Sequence, residues 1–530
     1  MRTRQPGDSS QCQEHGTRSP SQNNSNSLAA DPSRLAASLV GFIPRVCALL
    51  APCHPGASSP ILCSSYSATA PGSRRWLGAV ALLHADQSSA CQQSAGTEGD
   101  GHDAQPAADT VVRTDAAQYA TDAQHGAADG ADGPAATEKL PPFGAYGGDL
   151  AEMGDELRDI GARVQRRAAL DGLAWGLIQP RLDGQYNWAG FDANLELAQS
   201  LGITSVITVK SANQEDQENC GCQEAKCKDN PCDWDAYEEF LEAAVTRYRG
   251  TIGYWQFENE PEKGHYYTGT TTEYAELLSR SYRVVKEACP ECQVLIAGMR
   301  HCTYAAEGST YYPDLLVELS QHPSCGGTGC FDIFDVHTAA GCLVRNAKGK
   351  PDLARIHQEV RIAYDQVRAL LVDAGLGDKP IWSTEFGPLE GSGEIAHTLV
   401  KSFTVALDAG SQLLFWRVNE KPSLILEGGV PTDSFYAYRA LIAKLGGYST
   451  IQRLGSTEGQ YKLTFSDRPP VYVAWCEPES ESEPEPEGCR LDSEIAGSVR
   501  VTDAVGNDGG TGTVEAATLT LTEAPVFVEK

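Results

Sequence analysis

Two glutamates carry the strongest chemical signal in this chain. Glu260 lies in FENEP (residues 257–261) and Glu385 in WSTEFG (residues 382–387). Each, taken singly, reads as a solvated carboxylate at the end of a strand. Taken together, at the ends of two separate apolar runs, they can divide labour. One carboxyl gives a proton to a leaving oxygen while the other stabilises or attacks the carbon it leaves, which is what glycosidic cleavage requires. Carboxyls about 5 Å apart permit direct attack and retention of configuration, whereas a wider gap admits water and inverts it. The chemistry requires no metal or organic cofactor. Rival hydrolytic machinery lacks its signatures: the chain holds no G-x-S-x-G elbow and no H-E-x-x-H helix.

Such a pair is useful only if a scaffold brings the two together. From residue 141 onward, short apolar runs alternate with stretches of helical period. The runs are 143–146, 162–167, 205–209, 252–257, 293–297, 331–336, 380–384 and 412–416. Helix candidates are 149–160, 189–201, 234–248, 272–288, 353–374, 394–408 and 433–444. Strands alternating with helices over this length predict an α/β fold, a closed (β/α)₈ TIM barrel, in which chemistry sits at the C-terminal ends of strands. Glu260 follows the fourth run and Glu385 the seventh, on opposite sides of the barrel mouth. An open doubly wound sheet is the rival, but no G-x-G-x-x-G follows the first run. Beyond residue 446 the helical period gives way to alternation at 461–465, 471–475, 498–502, 517–522 and 525–528, which predicts a small C-terminal β-sandwich.

The residues around both glutamates resemble clan A glycoside hydrolases, most closely the family 39-like group of β-xylosidases and α-L-iduronidases. The resemblance rests on residues 254–261 (YWQFENEP), 381–387 (IWSTEFG), 161–166 (GARVQR), 175–180 (WGLIQP) and 184–188 (GQYNW), and spans roughly 142–530. It implies a glycosidase for O-glycosyl bonds, with Glu260 as acid/base, Glu385 as nucleophile and a carbohydrate as substrate. It further implies that Asn259 bonds the sugar 2-hydroxyl, a contact that strengthens in the transition state. Arg166 resembles the arginine that keeps the nucleophile charged, since a nearby cation favours a carboxylate's ionised form. His337 resembles the group's strand-six histidine, and Trp416 its aromatic floor under the sugar. For these three the plain readings are a rim salt bridge, a packed histidine and a core tryptophan. The chain departs from the pattern after His337, where many relatives carry a tyrosine and this one continues Thr338 and Ala339. Tyr304, Tyr266 and Tyr267 are candidates to replace it. Sugar, anomer and exo or endo action stay open, although the long polar stretches 211–232 and 300–330 favour an enclosed, exo-acting pocket. A carbohydrate-binding surface protein that has lost catalysis is the alternative, and retention of both glutamates with Asn259 argues against it.

The 530 residues carry 71 Asp and Glu against 42 Lys and Arg, a formal net charge of −29. So acidic a surface repels phosphate backbones and anionic lipid, which disfavours nucleic acid and electrostatic membrane binding. Of 17 cysteines, 12 follow residue 200, an even number that fits disulfides in an oxidising compartment. Cys220, Cys222, Cys227 and Cys232 form the tightest group, in a spacing foreign to standard zinc modules. Disulfides are expected there, and at Cys289 with Cys292, with metal as the sharper alternative. Cys476 and Cys489 flank a Glu/Pro/Ser run and are expected to staple its base. Residues 1–138 predict a long disordered region without a core. Within it, Arg74 and Arg75 precede the apolar run 76–83 in the manner of an export signal, and Cys91 follows. The expectation is a secreted or cell-envelope protein, with a bacterial lipoprotein held by lipid on Cys91 as one form of it. The resulting division is 1–138 signal and linker, 139–445 catalytic barrel, and 446–530 sandwich.

Overall fold

A computed structural model describes residues 140–530, apart from 168–171, 223–227, 229, 347, 353–354, 389–394, 419–423, 427–428, 456–458, 478–488 and 509–512. The export-signal run, Cys91 and Cys227 therefore lie outside the described residues.

Eight parallel strands form the inner layer: β1 (Phe143–Tyr146), β2 (Val164–Arg167), β3 (Thr204–Lys210), β4 (Tyr254–Phe257), β5 (Gln293–Leu295), β6 (Phe334–Ala340), β7 (Ile381–Pro388) and β8 (Ser411–Arg417). Each is followed by a helix: α1 (Leu150–Ile160), α2 (Ala189–Ser200), α3 (Trp234–Tyr248), α4 (Thr271–Ala288), α5 (Tyr311–Gln321), α6 (Ile356–Asp373), α7 (Ile395–Asp408) and α8 (Asp433–Leu445). Hydrogen bonding runs β5-β4-β3-β2-β1-β8-β7-β6, and the ring closes where Leu295 bridges Ile333 in parallel. The (β/α)₈ expectation holds. The barrel differs from the sequence reading in the stretches read as polar insertions: α5 and the short helix His301–Ala305 lie within 300–330, and the helix Gln214–Asn219 lies within 211–232.

Two apolar layers hold the cylinder. Outside the strands, Phe143, Leu414 and Phe403 join the buried faces of the helices in one extended core. Inside, Val164, Val206, Tyr254, Leu295, Ile333, Trp382, Leu413 and Phe415 fill the floor of the barrel. Each such side chain contributes about 1.5–3 kcal/mol when fully buried. Gly144 is needed in this layer, because an added Cβ would stand 2.6 Å from the Phe415 ring. Helix starts are capped locally: Asp149 and Asp233 accept first-turn N–H groups, and Thr270 with Glu273 forms a capping box on α4.

The C-terminal region is a sandwich of unequal layers. Its larger sheet is antiparallel, ordered Thr450–Arg453, Gln460–Thr464, Val471–Ala474, Val526–Glu529, Ser498–Asp503, Thr513–Glu515. The smaller layer is the ribbon Cys489–Arg490 with Thr520–Leu521, packed through Leu521 and Cys489 against Ala474 and Val526. Cysteines pair as Cys220–Cys232, Cys289–Cys292, Cys302–Cys342, Cys325–Cys330 and Cys476–Cys489. The last brackets the Glu/Pro/Ser run, as expected. No helix among the described residues is long and apolar enough to cross a membrane.

Candidate active site

Inward-facing residues change character one layer above the barrel floor. Two residues beyond Val164, Val206, Tyr254, Ile333 and Trp382 stand Arg166, Thr208, Gln256, Asp335 and Thr384, all buried and polar. Side chains two apart on a strand share a face, so the alternation itself builds a polar disc on an apolar base. Its bonds are continuous. Gln256 accepts from Thr208 Oγ1 at 3.1 Å and from Arg166 Nε at 2.8 Å. Its amide nitrogen donates to Asp335 at 2.5 Å. Asp335 also receives the Thr384 N–H and hydroxyl, at 2.8 and 2.5 Å.

The predicted residues sit on this disc. Arg166 is fully buried and divides its guanidinium between Glu385 Oε1 at 2.7 Å and Asn259 Oδ1 at 2.6 Å. Beside it the Tyr146 ring centroid lies 5.3 Å from the guanidinium carbon. His337 Nδ1 faces Glu260 Oε1 at 2.9 Å, and its Nε2 faces Thr384 Oγ1 at 3.2 Å and Asp335 at 3.4 Å. Gly298 makes room for that ring, since a Cβ there would stand 1.9 Å from Nε2. One oxygen of Glu260, one of Glu385 and a ring nitrogen of His337 all lie within 4.8 Å of one another.

Charge is unevenly held here. Burial alone would push the His337 imidazole down, but Glu385, Asp335 and Glu260 surround it and together raise it to about 10. Burial would push Glu260 up, yet His337 and the Lys263 ammonium, 3.3 Å away, bring it to about 2. At neutral pH the imidazole therefore carries the proton and Glu260 faces it as a carboxylate. Behind them Glu262 accepts the Arg300 N–H at 2.7 Å, and burial raises its carboxyl to about 7.

The turn that presents Glu260 is strained. Glu258 (φ +64°) and Glu260 (φ +38°) are two of only three non-glycine residues with positive φ among the described residues. Such backbone costs on the order of 1–3 kcal/mol per residue and persists where surroundings over-determine it.

Trp416 is not part of this cluster. It is fully buried, on the helix side of β8, packed on Phe386 and Phe403 with ring centroids 5.7 and 5.9 Å away. A floor under a sugar needs an open aromatic face, and Phe415 and Leu413 take the inward positions of this strand. Of the tyrosine candidates, Tyr267 is buried and donates to Asn230, and Tyr266 lies under Lys210. Tyr304 lies at the partly buried edge of the outer core. Tyr146, not among them, is the tyrosine beside Arg166. Gln256, Asp335 and Thr384 also escaped the sequence reading. Their signal was a polar residue at an inward position of an otherwise apolar strand.

Among the described residues, two side-chain groups have metal-ligand spacing. In the first, Glu260, His337 and Glu385, both ring nitrogens of His337 face acceptors, whereas a metal takes a neutral imidazole. In the second, His301, Cys342 and Glu359, the cysteine is bound to Cys302. There the glutamate accepts the N–H groups of Cys342, Leu343 and Val344.

No protein-family model and no curated protein matches the chain. Solved structures do. A family 39 glycoside hydrolase from Bacteroides cellulosilyticus superposes with a TM-score of 0.52 at 15% identity, covering 73% of this chain and 80% of that one. A monomeric β-xylosidase from Caulobacter crescentus gives 0.51 at 16%, covering 73% and 95%. A glucosidase from Croceicoccus marinus gives 0.50 at 13%, covering 74% and 97%. At these identities the likeness is one of fold.

Proposed function

We propose that this protein is an exported retaining glycoside hydrolase that cleaves an oligo- or polysaccharide by double displacement. The observation that carries the reading is the approach of Glu260, in the turn after β4, and Glu385, on β7, to within 4.8 Å, the short separation that favours direct attack. A Glu385 oxygen attacks the anomeric carbon as the bond to the leaving oxygen breaks. The proton held on His337 Nδ1 passes to Glu260, 2.9 Å away, and from that carboxyl to the leaving oxygen. Glu260 then removes a proton from water, the hydroxide adds to the anomeric carbon, and Glu385 is released. Arg166 fixes the attacking carboxylate and, through Asn259, the group set to bond the sugar 2-hydroxyl. The structural neighbours are a family 39 hydrolase, a β-xylosidase and a glucosidase, which supports a carbohydrate substrate. The disulfides support an oxidising compartment, and lipid on Cys91 is the anchor we propose.

The test is hydrolysis of aryl xyloside, glucoside, galactoside, arabinoside, mannoside and iduronide by the full chain, beside Glu260→Ala and Glu385→Ala. Activity on one member is expected, with Glu260→Ala rescued by azide to a glycosyl azide of retained configuration and Glu385→Ala inactive. A folded wild-type protein silent on every glycoside, yet positive on a glycan array, would replace the enzyme with a binder.

A further inference from the structure

Glu258 precedes the acid/base pair by two residues, and nothing in the two-carboxylate chemistry uses it. It is nonetheless buried and saturated. One oxygen accepts the Ser211 N–H at 2.7 Å and the Ser211 hydroxyl at 2.9 Å. The other accepts the Lys210 ammonium at 2.8 Å, which in turn lies over the Tyr266 ring at 5.1 Å. Lys210 ends β3 and Ser211 directly follows it, so this carboxylate ties the turn after β4 to its neighbouring strand. The backbone N–H of Glu258 adds a bond to Val209 O at 3.0 Å. The turn it anchors is the one with left-handed backbone at Glu258 and Glu260, and Pro261 adds to the cost at Glu260, because a residue before proline prefers extended backbone. A strained turn of this kind relaxes when its fastening is removed.

We propose that Glu258, with Lys210 and Ser211, is a positioning residue that clamps the turn so that the Glu260 carboxyl meets the leaving-group oxygen. The inference rests on the glycosidase reading above. Releasing the clamp displaces the proton donor while leaving Glu385 and Arg166 in place, because those are fastened through β2 and β7, and Asn259 stays with them, held by Arg166 Nη2 at 2.6 Å.

The experiment compares Glu258→Gln with wild type on two glycosides of the sugar the panel identifies. One has an alkyl leaving group that needs a proton, and the other a dinitrophenyl group that does not. On the alkyl glycoside, kcat/KM is expected to fall about 100-fold, the scale of lost general-acid help. On the dinitrophenyl glycoside, kcat/KM should stay within about threefold, while kcat and KM fall together because water activation by Glu260 slows. Ser211→Ala, which removes one donor only, should show the same pattern more weakly, and it serves if Glu258→Gln does not fold. Equal loss on both substrates, or no loss on the alkyl glycoside, would overturn the clamp. Wild-type protein inactive on the whole panel would instead overturn the glycosidase reading.

Discussion

His337 links the two carboxylates, and its charge sets a pH window for the site. Its folded value of about 10 lies above the ordinary 6.5, so its contribution to stability is complete below about 6.5 and is lost as pH rises through 10. Glu260, at about 2 against 4.5, contributes fully above 4.5 and loses that as pH falls through 2. Both terms are complete only between those ordinary values. His337→Gln is therefore expected to lower Tm most near pH 5–6 and progressively less towards pH 10, as followed by calorimetry across that range. A constant deficit at all pH values would mean that packing, not charge, is what the ring supplies. Glu260, Glu385, Asn259, Arg166 and His337 were legible in the sequence because each falls at or just past the end of an apolar run. Gln256, Asp335 and Thr384 were not, since a polar residue within a strand reads as a defect until the facing strands are known. Trp416 misled for the converse reason: its position at the end of β8 is right, but strand parity turns it outward.

All eight strands could be read as short β-rich runs of the right length, and seven helices from their period. Helix α5 was hidden because proline at its third position and the glycines and cysteines that follow resemble loop chemistry. The cysteines instead tie that region down. Cys302 and Cys342 join the loops after β5 and β6 across 40 residues of chain, a closure worth about 4 kcal/mol in the chain-entropy model. The double variant Cys302→Ser/Cys342→Ser should lose stability on that scale in denaturant titration, and its midpoint should no longer respond to reductant through this bond. A midpoint within error of wild type would show that the two loops are held by packing alone. The C-terminal strands were placed less well. Thr450–Arg453 and Thr513–Glu515 are short and polar, and the run 517–522 divides into a 3₁₀ turn at Ala516–Thr518 and the two-residue strand Thr520–Leu521.

The molecule as a whole does not separate cleanly at residue 446. Tyr461, Val473, Trp475 and Phe527 of the sandwich belong to the same apolar core as the outer barrel layer. His357 on α6 meets Glu477 at 2.5 Å and the Trp475 ring edge-on. Arg468 caps the end of α8 through the carbonyls of Lys444 and Gly446, at 2.8 and 3.0 Å. A chain ending at residue 445 would expose this face, so it is expected to show no cooperative thermal transition and rapid proteolysis. A sharp transition in that truncated chain would establish the barrel as an independent domain. Within the barrel, closure is thinnest between β5 and β6, where the Leu295–Ile333 bridge is followed by a break and then by Met299–Arg300 pairing with Val336 and His337. The break falls where the His337 ring stands against Gly298. In amide hydrogen exchange, the 293–300 and 333–337 segments should therefore open ahead of the other barrel strands. An opening there carries the imidazole away from Glu260, so the place where the cylinder breathes is also the place where the acid group can lose its proton partner.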